Sequence, residues 1–228
     1  MSRAWNVVAA LGLAAASACK CTTSEPQSLS KFPDRYAVRG IDVSHHNGDI
    51  DWPRVAQSGL HFVYVKATEG GDRVDLRFEA NIAGARSAGL KTGAYHFFTF
   101  CRPGEDQAKH FLSRVKLEPH DLPPAVDVEF VGNCKNPPDN AVVRENLEQW
   151  LTQVESALGR RPIIYSTPDA AEAFLTGLPH HVWMRLIPDE PKSDWTFWQF
   201  HPGGSVPGIE GTVDLDVFRR DRDALDSL

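Results

Sequence analysis

From Ala37 onward the chain alternates short apolar runs with longer segments in which apolar residues recur at helical spacing. Val38–Val43, Phe62–Lys66, Thr92–Phe98, Ala125–Phe130 and Ile163–Ser166 are rich in Val, Ile and aromatic residues and bounded by Gly or Pro, so they read as five strands. Between them, Leu76–Ala88 carries Leu76, Ala80, Ala83 and Ala88 and ends at Gly89, a residue suited to a helix C-cap. Glu105–Val115, Asn140–Leu158 and Asp169–Leu175 are further predicted helices, the last opening after Pro168. Repeated strand–helix alternation calls for a parallel sheet with crossover helices, either an α/β barrel or a doubly wound sheet. The last third changes character. Val182–Arg185, Thr196–Phe200 and Val213–Phe218 are strand-like, but their connections hold Pro, Gly and Asp instead of helical periodicity. About eight strands with few helices on the C-terminal side suggest a barrel whose closing side is degenerate.

The first 36 residues follow neither pattern. Arg3, the apolar run Val7 to Ala16 and the small residues Ala16-Ser17-Ala18 read as an export signal over residues 1–18. A buried helix is the other reading; the run is too short to span a bilayer, which takes about 20 apolar residues. Cys19 directly after the cleavage site matches a bacterial lipoprotein signal, so membrane attachment through an acylated Cys19 and plain secretion are both open. Residues 19–36 are polar, with Ser, Thr and Pro, and read as a flexible tether. That leaves residues 37–222 as one folded domain, expected to be a monomer.

Composition narrows the partners. A net charge of -6 disfavours nucleic acid, whose phosphates need a basic surface. Six Trp suit a carbohydrate cleft, and they suit an ordinary core equally well. An exported protein meets oxidising conditions, which makes Cys101 and Cys134 candidates for a disulfide. Zinc is the rival reading, but no CxxC or nearby His pair completes a site.

The candidate chemistry lies at strand ends. Ala125-Val126-Asp127-Val128-Glu129 closes an apolar strand with two acids two positions apart, on one face. Inside a barrel rim, burial and mutual repulsion raise the pKa of at least one. A carboxylic acid protonated at neutral pH is what glycosidic bond cleavage requires. An ion pair with Arg or Lys would equally account for the two acids. Asp42 on the first strand reads as a pocket acid or a turn cap; Asp214 and Asp216 share one face of the last strand. Lys66 and Glu69 close the second. Around the same mouth stand Tyr95 and His96, Tyr165, Trp183, and Trp198 with Gln199, which are candidates for sugar contacts or for core. His45 and His46 resemble a metal pair, but sequential side chains should diverge, so no metal is expected there.

In order along the chain, Gly40-Ile41-Asp42-Val43-Ser44-His45, Val65-Lys66-Ala67-Thr68-Glu69-Gly70, Gly93-Ala94-Tyr95-His96-Phe97, Val126-Asp127-Val128-Glu129, Ile164-Tyr165-Ser166, Trp198-Gln199-Phe200 and Gly211-Thr212-Val213-Asp214-Leu215-Asp216 together resemble the family 25 glycoside hydrolases. The resemblance covers about residues 38–220. It implies an α/β fold, a modified TIM-like β/α barrel, and hydrolysis of the β-1,4 bond between N-acetylmuramic acid and N-acetylglucosamine in peptidoglycan glycan strands. By position, Glu129 matches the general acid, Asp127 its partner, Asp42 and Asp214 two further pocket acids, and Tyr165 a substrate-pocket tyrosine. The resemblance implies no metal or organic cofactor. Val182-Trp183-Met184-Arg185 departs from the family's usual pattern at the sixth strand. Another N-acetylhexosamine polymer such as chitin, or a non-catalytic wall-binding module, are the competing functions.

Overall fold

The computed structural model describes Met1 and residues 31–228. The expected export signal beyond Met1, Cys19, and the tether as far as residue 30 lie outside the described residues. Among the described residues nine strands form one sheet: β1 (Val38–Val43), β2 (Phe62–Glu69), β3 (Arg73–Val74), β4 (Lys91–Phe97), β5 (Ala125–Val128), β6 (Ile163–Ser166), β7 (Val182–Arg185), β8 (Phe197–Gly204) and β9 (Val213–Phe218). Eight of them close into a barrel, in the order β1-β2-β4-β5-β6-β7-β8-β9, with β9 pairing back onto β1. The two-residue β3 folds back antiparallel on the end of β2.

Helices α1 (Trp52–Ala56), α2 (Phe78–Ser87), α3 (Gly104–Leu112), α4 (Asn140–Leu158) and α5 (Pro168–Phe174) fall between strands up to β7, and α6 (Arg222–Asp226) follows β9. No helix joins β7 to β8 or β8 to β9, in keeping with the expected degenerate side. The five-residue α1, preceded by Asp51 accepting from the Arg54 backbone N–H, is too short to show periodicity and was not predicted.

One expectation needs correcting. Strands β1, β2 and β4 to β8 pair in parallel as predicted, but β9 runs antiparallel to both neighbours. Only residues 205–212 separate β8 from β9, less than the dozen or so residues a parallel crossover needs, so the chain reverses. The start of β9 therefore lies at the rim where the other strands end.

The alternating strand residues build two apolar layers. Phe62, Tyr64, Trp183, Phe197 and Phe218 fill the barrel, closed from below by Ala224 and Leu225 of α6. Bare backbone at Gly93 admits the Tyr64 ring, which would lie 2.2 Å from a Cβ there. Val63, Val65, Val126 and Ile164 face the helices, against Phe111 of α3 and Trp150 of α4. Where α3 meets α4, a Cβ on Gly104 would come 1.8 Å from the Asn146 carbonyl oxygen, so only Gly permits the approach. The expected disulfide is present: Cys101 and Cys134, Cα atoms 6.2 Å apart, tie the loop before α3 to the loop after β5.

Packing extends past both ends of the 37–222 domain. Phe32 meets Phe200 edge-on at 5.3 Å, and Tyr36 meets Trp195 at 5.3 Å, so the described end of the expected tether packs against the barrel. These two aromatics outweigh the polar residues between them in deciding where the chain lies.

Candidate active site

Strand alternation on β5 turns Val126 and Val128 toward the helices and Asp127 toward the barrel mouth. Strand β5 ends at Val128, two residues earlier than predicted, so Glu129 stands just past it, at the rim. On the opposite wall the antiparallel register sets Asp42 directly across from Asp214, and Gly40 across from Asp216. The result is a cavity of about 210 Å³ lined by Asp42, Asp127, Glu129 and Asp214, together with Tyr95, Tyr165, Trp183, Arg185 and Gln199. Four acids drawn from positions as far apart as 42 and 214 thus share one pocket.

Hydrogen bonds fix the walls. The Tyr165 hydroxyl donates to Gln199 Oε1 at 3.0 Å, and Gln199 Nε2 donates to Asp42 Oδ2 at 2.8 Å. Below them the Trp183 indole N–H donates to Asp216 Oδ1 at 2.8 Å. Asp127 Oδ1 and Glu129 Oε2, by contrast, are buried with no hydrogen-bond partner, although the Arg185 guanidinium comes within 3.8 Å of Glu129 Oε2.

This setting favours neutral carboxyl groups. Burial pushes Asp127 well above the usual carboxylate range, and the neighbouring Glu129 adds to the rise. Glu129 is raised for the same first reason, burial, with Arg185 pulling the other way. Desolvation carries Asp214 up to about 8, assisted by Asp42, and Asp42 itself up to about 6. Proton-bearing and ionised carboxyls can therefore coexist near neutral pH in a pocket open to solvent, the requirement for acid-assisted cleavage of an acetal.

Comparison with known proteins agrees with this chemistry. The family model described as glycosyl hydrolases family 25 matches residues 41–209. The chain belongs to glycosyl hydrolase family 25. The Escherichia coli K12 protein YegX is 37% identical to this family 25 chain over 200 residues, 82% of this chain and 72% of its own. Lysozyme M1 of Streptomyces globisporus is 33% identical over 207 residues, 81% and 69% of the two chains. A solved family 25 glycosyl hydrolase from Bacillus anthracis superposes with a TM-score of 0.81 at 34% identity, covering 86% of this chain and 95% of that one. This protein is thus a glycoside hydrolase with a modified TIM-like barrel.

Within this family 25 barrel, Asp42, Tyr95, Asp127, Glu129, Tyr165, Trp183, Gln199 and Asp214 all line the acid pocket, as their strand positions predict. Three other predicted residues do not. His96 follows Tyr95 on β4, so alternation turns it outward, where it is fully buried and stacked 5.6 Å from Trp150. Its Nε2 donates to Gln107 Oε1 at 3.2 Å and its Nδ1 accepts from the Thr68 hydroxyl at 2.7 Å. Burial lowers its pKa to about 3, so it is a neutral core histidine. Glu69 is bound by Lys66 at 2.8 Å and Arg73 at 2.6 Å and faces a neighbouring hollow with Arg102 and the disulfide. Lys66 lies beside the acid pocket without lining it, its Nζ 4.9 Å over the Phe97 ring.

His45 and His46 do not diverge as expected. They follow Ser44 in a one-turn 3-10 helix, which brings their rings to 3.9 Å; His45 Nδ1 is held by the buried Asp75 at 2.7 Å. Arg185 lines the pocket and went unselected in the sequence. Its signal was available: it stands two positions after Trp183, the spacing that joins Asp127 to Glu129.

Proposed function

We propose that this family 25 hydrolase cleaves peptidoglycan glycan strands at the β-1,4 bond between N-acetylmuramic acid and N-acetylglucosamine, with Glu129 as general acid and Asp127 as its assistant. The observation that carries the reading is the pair of buried oxygens that accept no hydrogen bond, Asp127 Oδ1 and Glu129 Oε2, the latter 3.8 Å from the Arg185 guanidinium, on one wall of the four-acid pocket. The lysozyme name of a relative sharing 33% identity supports the substrate.

The pair titrates as a unit, and its working form holds one proton. Glu129 carries that proton, because its carboxyl stands past the strand end where a glycosidic oxygen can approach. As the bond breaks, the proton passes to the leaving oxygen, and the Glu129 carboxylate then takes a proton from the water whose oxygen bonds to the anomeric carbon. Asp127, fixed in the wall, accepts from the acetamido N–H of the sugar and steadies that group as it attacks or as positive charge develops at the anomeric carbon. Asp42 and Asp214, on the facing wall, complete the anionic surround. Tyr95, Tyr165, Trp183 and Gln199 offer aromatic faces and hydrogen bonds to the ring, while Lys66 acts on the pair only through its field.

Read as an export signal, residues 1–18 would put this activity outside the cytoplasm, where acylation of Cys19 would tether it to a membrane facing the wall. Release of reducing ends from purified sacculi, compared with chitin oligomers, tests the substrate. Glu129→Gln should lose at least about 10²-fold on sacculi; unchanged release would refute the assignment. Product anomers followed by NMR test the acetamido step, since initial inversion of configuration is incompatible with it.

A further inference from the structure

Asp216 is an acid of the barrel interior to which the chemistry above assigns nothing. It has no solvent exposure and lies one layer beneath Asp42 and Asp214. The register sets it across from Gly40 on β1, which has no side chain, and across from Gln199 on β8. The groups facing it are Asp42 from β1, Tyr64 from β2, Trp183 from β7 and Asp214 from its own strand, and none is a cation. The Tyr64 hydroxyl is spent on the Pro123 carbonyl oxygen at 3.2 Å. Trp183 donates to Asp216 Oδ1, and Oδ2 finds no donor, although the register makes Asp216 and Asp42 diagonal neighbours on facing strands and the Asp42 charge raises the Asp216 carboxyl.

Two ionised carboxylates cannot stand side by side in a dry wall without a cation between them, so one of the two holds a proton. The environment chooses which. Asp42 already accepts the Gln199 amide at 2.8 Å and feels the Arg185 guanidinium, both of which favour its anion. Asp216 has one indole N–H and full burial. We propose that Asp216 is a proton-carrying positioning residue, whose neutral carboxyl donates from Oδ2 to Asp42 and so keeps Asp42 ionised and fixed in the pocket wall. Trp183 and Asp216 on one side, and Tyr165 and Gln199 on the other, then form two donor chains converging on a single anion. This inference rests on Asp42 serving the proposed hydrolysis.

Asparagine and leucine distinguish the neutral donor from a carboxylate. D216N keeps a donor toward Asp42 and an acceptor for Trp183, so it should retain kcat/KM on sacculi within about fivefold and leave the acid limb of the pH profile in place. D216L removes the donor and leaves Asp42 harder to ionise; kcat/KM at neutral pH should fall about tenfold or more, with the acid limb moved up by about one pH unit. A loss in D216N as deep as in D216L, or an unmoved acid limb in D216L, would overturn the proposal. An infrared comparison of wild type and D216N at neutral pH stands apart from activity, and decides the matter if D216L does not fold. Beside the bands of the other protonated pocket acids, one carbonyl component of a protonated carboxylic acid should be present in the wild type and missing from D216N; no such difference would overturn the proposal. Failure of the wild type to release reducing ends from sacculi would count against the proposed substrate, and the infrared result would still report on the proton.

Discussion

Arg185→Met is the perturbation that most directly tests whether the pocket's electrostatics govern its chemistry. Arg185 is the pocket-lining cation, with Nη1 3.8 Å from Glu129 Oε2, and its charge lowers the carboxyls of Asp42, Asp127, Glu129 and Asp214. At that separation an effective dielectric of about 20 gives a Coulomb energy of about 4 kcal/mol. The Arg185 side chain is 34% exposed and makes no hydrogen bond to Glu129 at this distance, so solvent screening reduces the figure to about 1–2 kcal/mol. At 1.36 kcal/mol per unit that is about one pH unit. Methionine keeps the unbranched apolar stem and removes the guanidinium with its charge. Each carboxyl then binds its proton more tightly, so Glu129 remains an acid to higher pH, and Asp127 and Asp42, whose ionisation together sets the acid limb, need higher pH to ionise. Both limbs of the kcat/KM profile on sacculi should move up by about one unit, with the height of the optimum a separate matter. Limbs that stay in place, or move down, would show that the Arg185 charge does not act on the titrating pair.

Stability should bear the cost of the same raised pKa values. Asp214 binds its proton up to about pH 8 when folded but only to the ordinary carboxylate range when unfolded, so the folded state loses ground steadily as pH rises from about 4 to 8. Asp214→Asn should raise stability at pH 8 by roughly 1–3 kcal/mol and flatten that decline, as thermal unfolding at several pH values would record. His96 acts in the opposite sense: its pKa falls to about 3 in the fold, so its contribution is present above pH 6.5 and lost as pH drops toward 3. His96→Ala should cost about 2–4 kcal/mol of stability while leaving KM on sacculi unchanged, which separates a core histidine from a substrate contact. Removing the Cys101–Cys134 bridge as a double serine variant should cost about 3–4 kcal/mol for its loop, read as a lowered Tm under non-reducing conditions.

What the chain declares locally is considerable. Short runs rich in Val, Ile and aromatic residues set eight barrel strands close to their observed bounds, and Asn140–Leu158 is a helix over its predicted span, because composition and helical spacing are written directly in adjacent residues. Acids at strand ends, two apart, are equally legible, and with them Asp127 and Glu129. Alternation also speaks against His96 once Tyr95 is taken as inward, so that error was avoidable. Other features depend on partners remote in sequence. The short connection after β8 reverses β9, but only its pairing onto β1, far back along the chain, sets Asp214 at the rim opposite Asp42 and Asp216 beneath it. The packing of Phe32 and Tyr36 depends on Phe200, Trp195 and Trp198, far along the chain, and no local pattern announces it. The protonation of the acids is likewise a tertiary property: a carboxyl's pKa responds to the water it loses and the charges it meets, and those are settled only when the barrel closes.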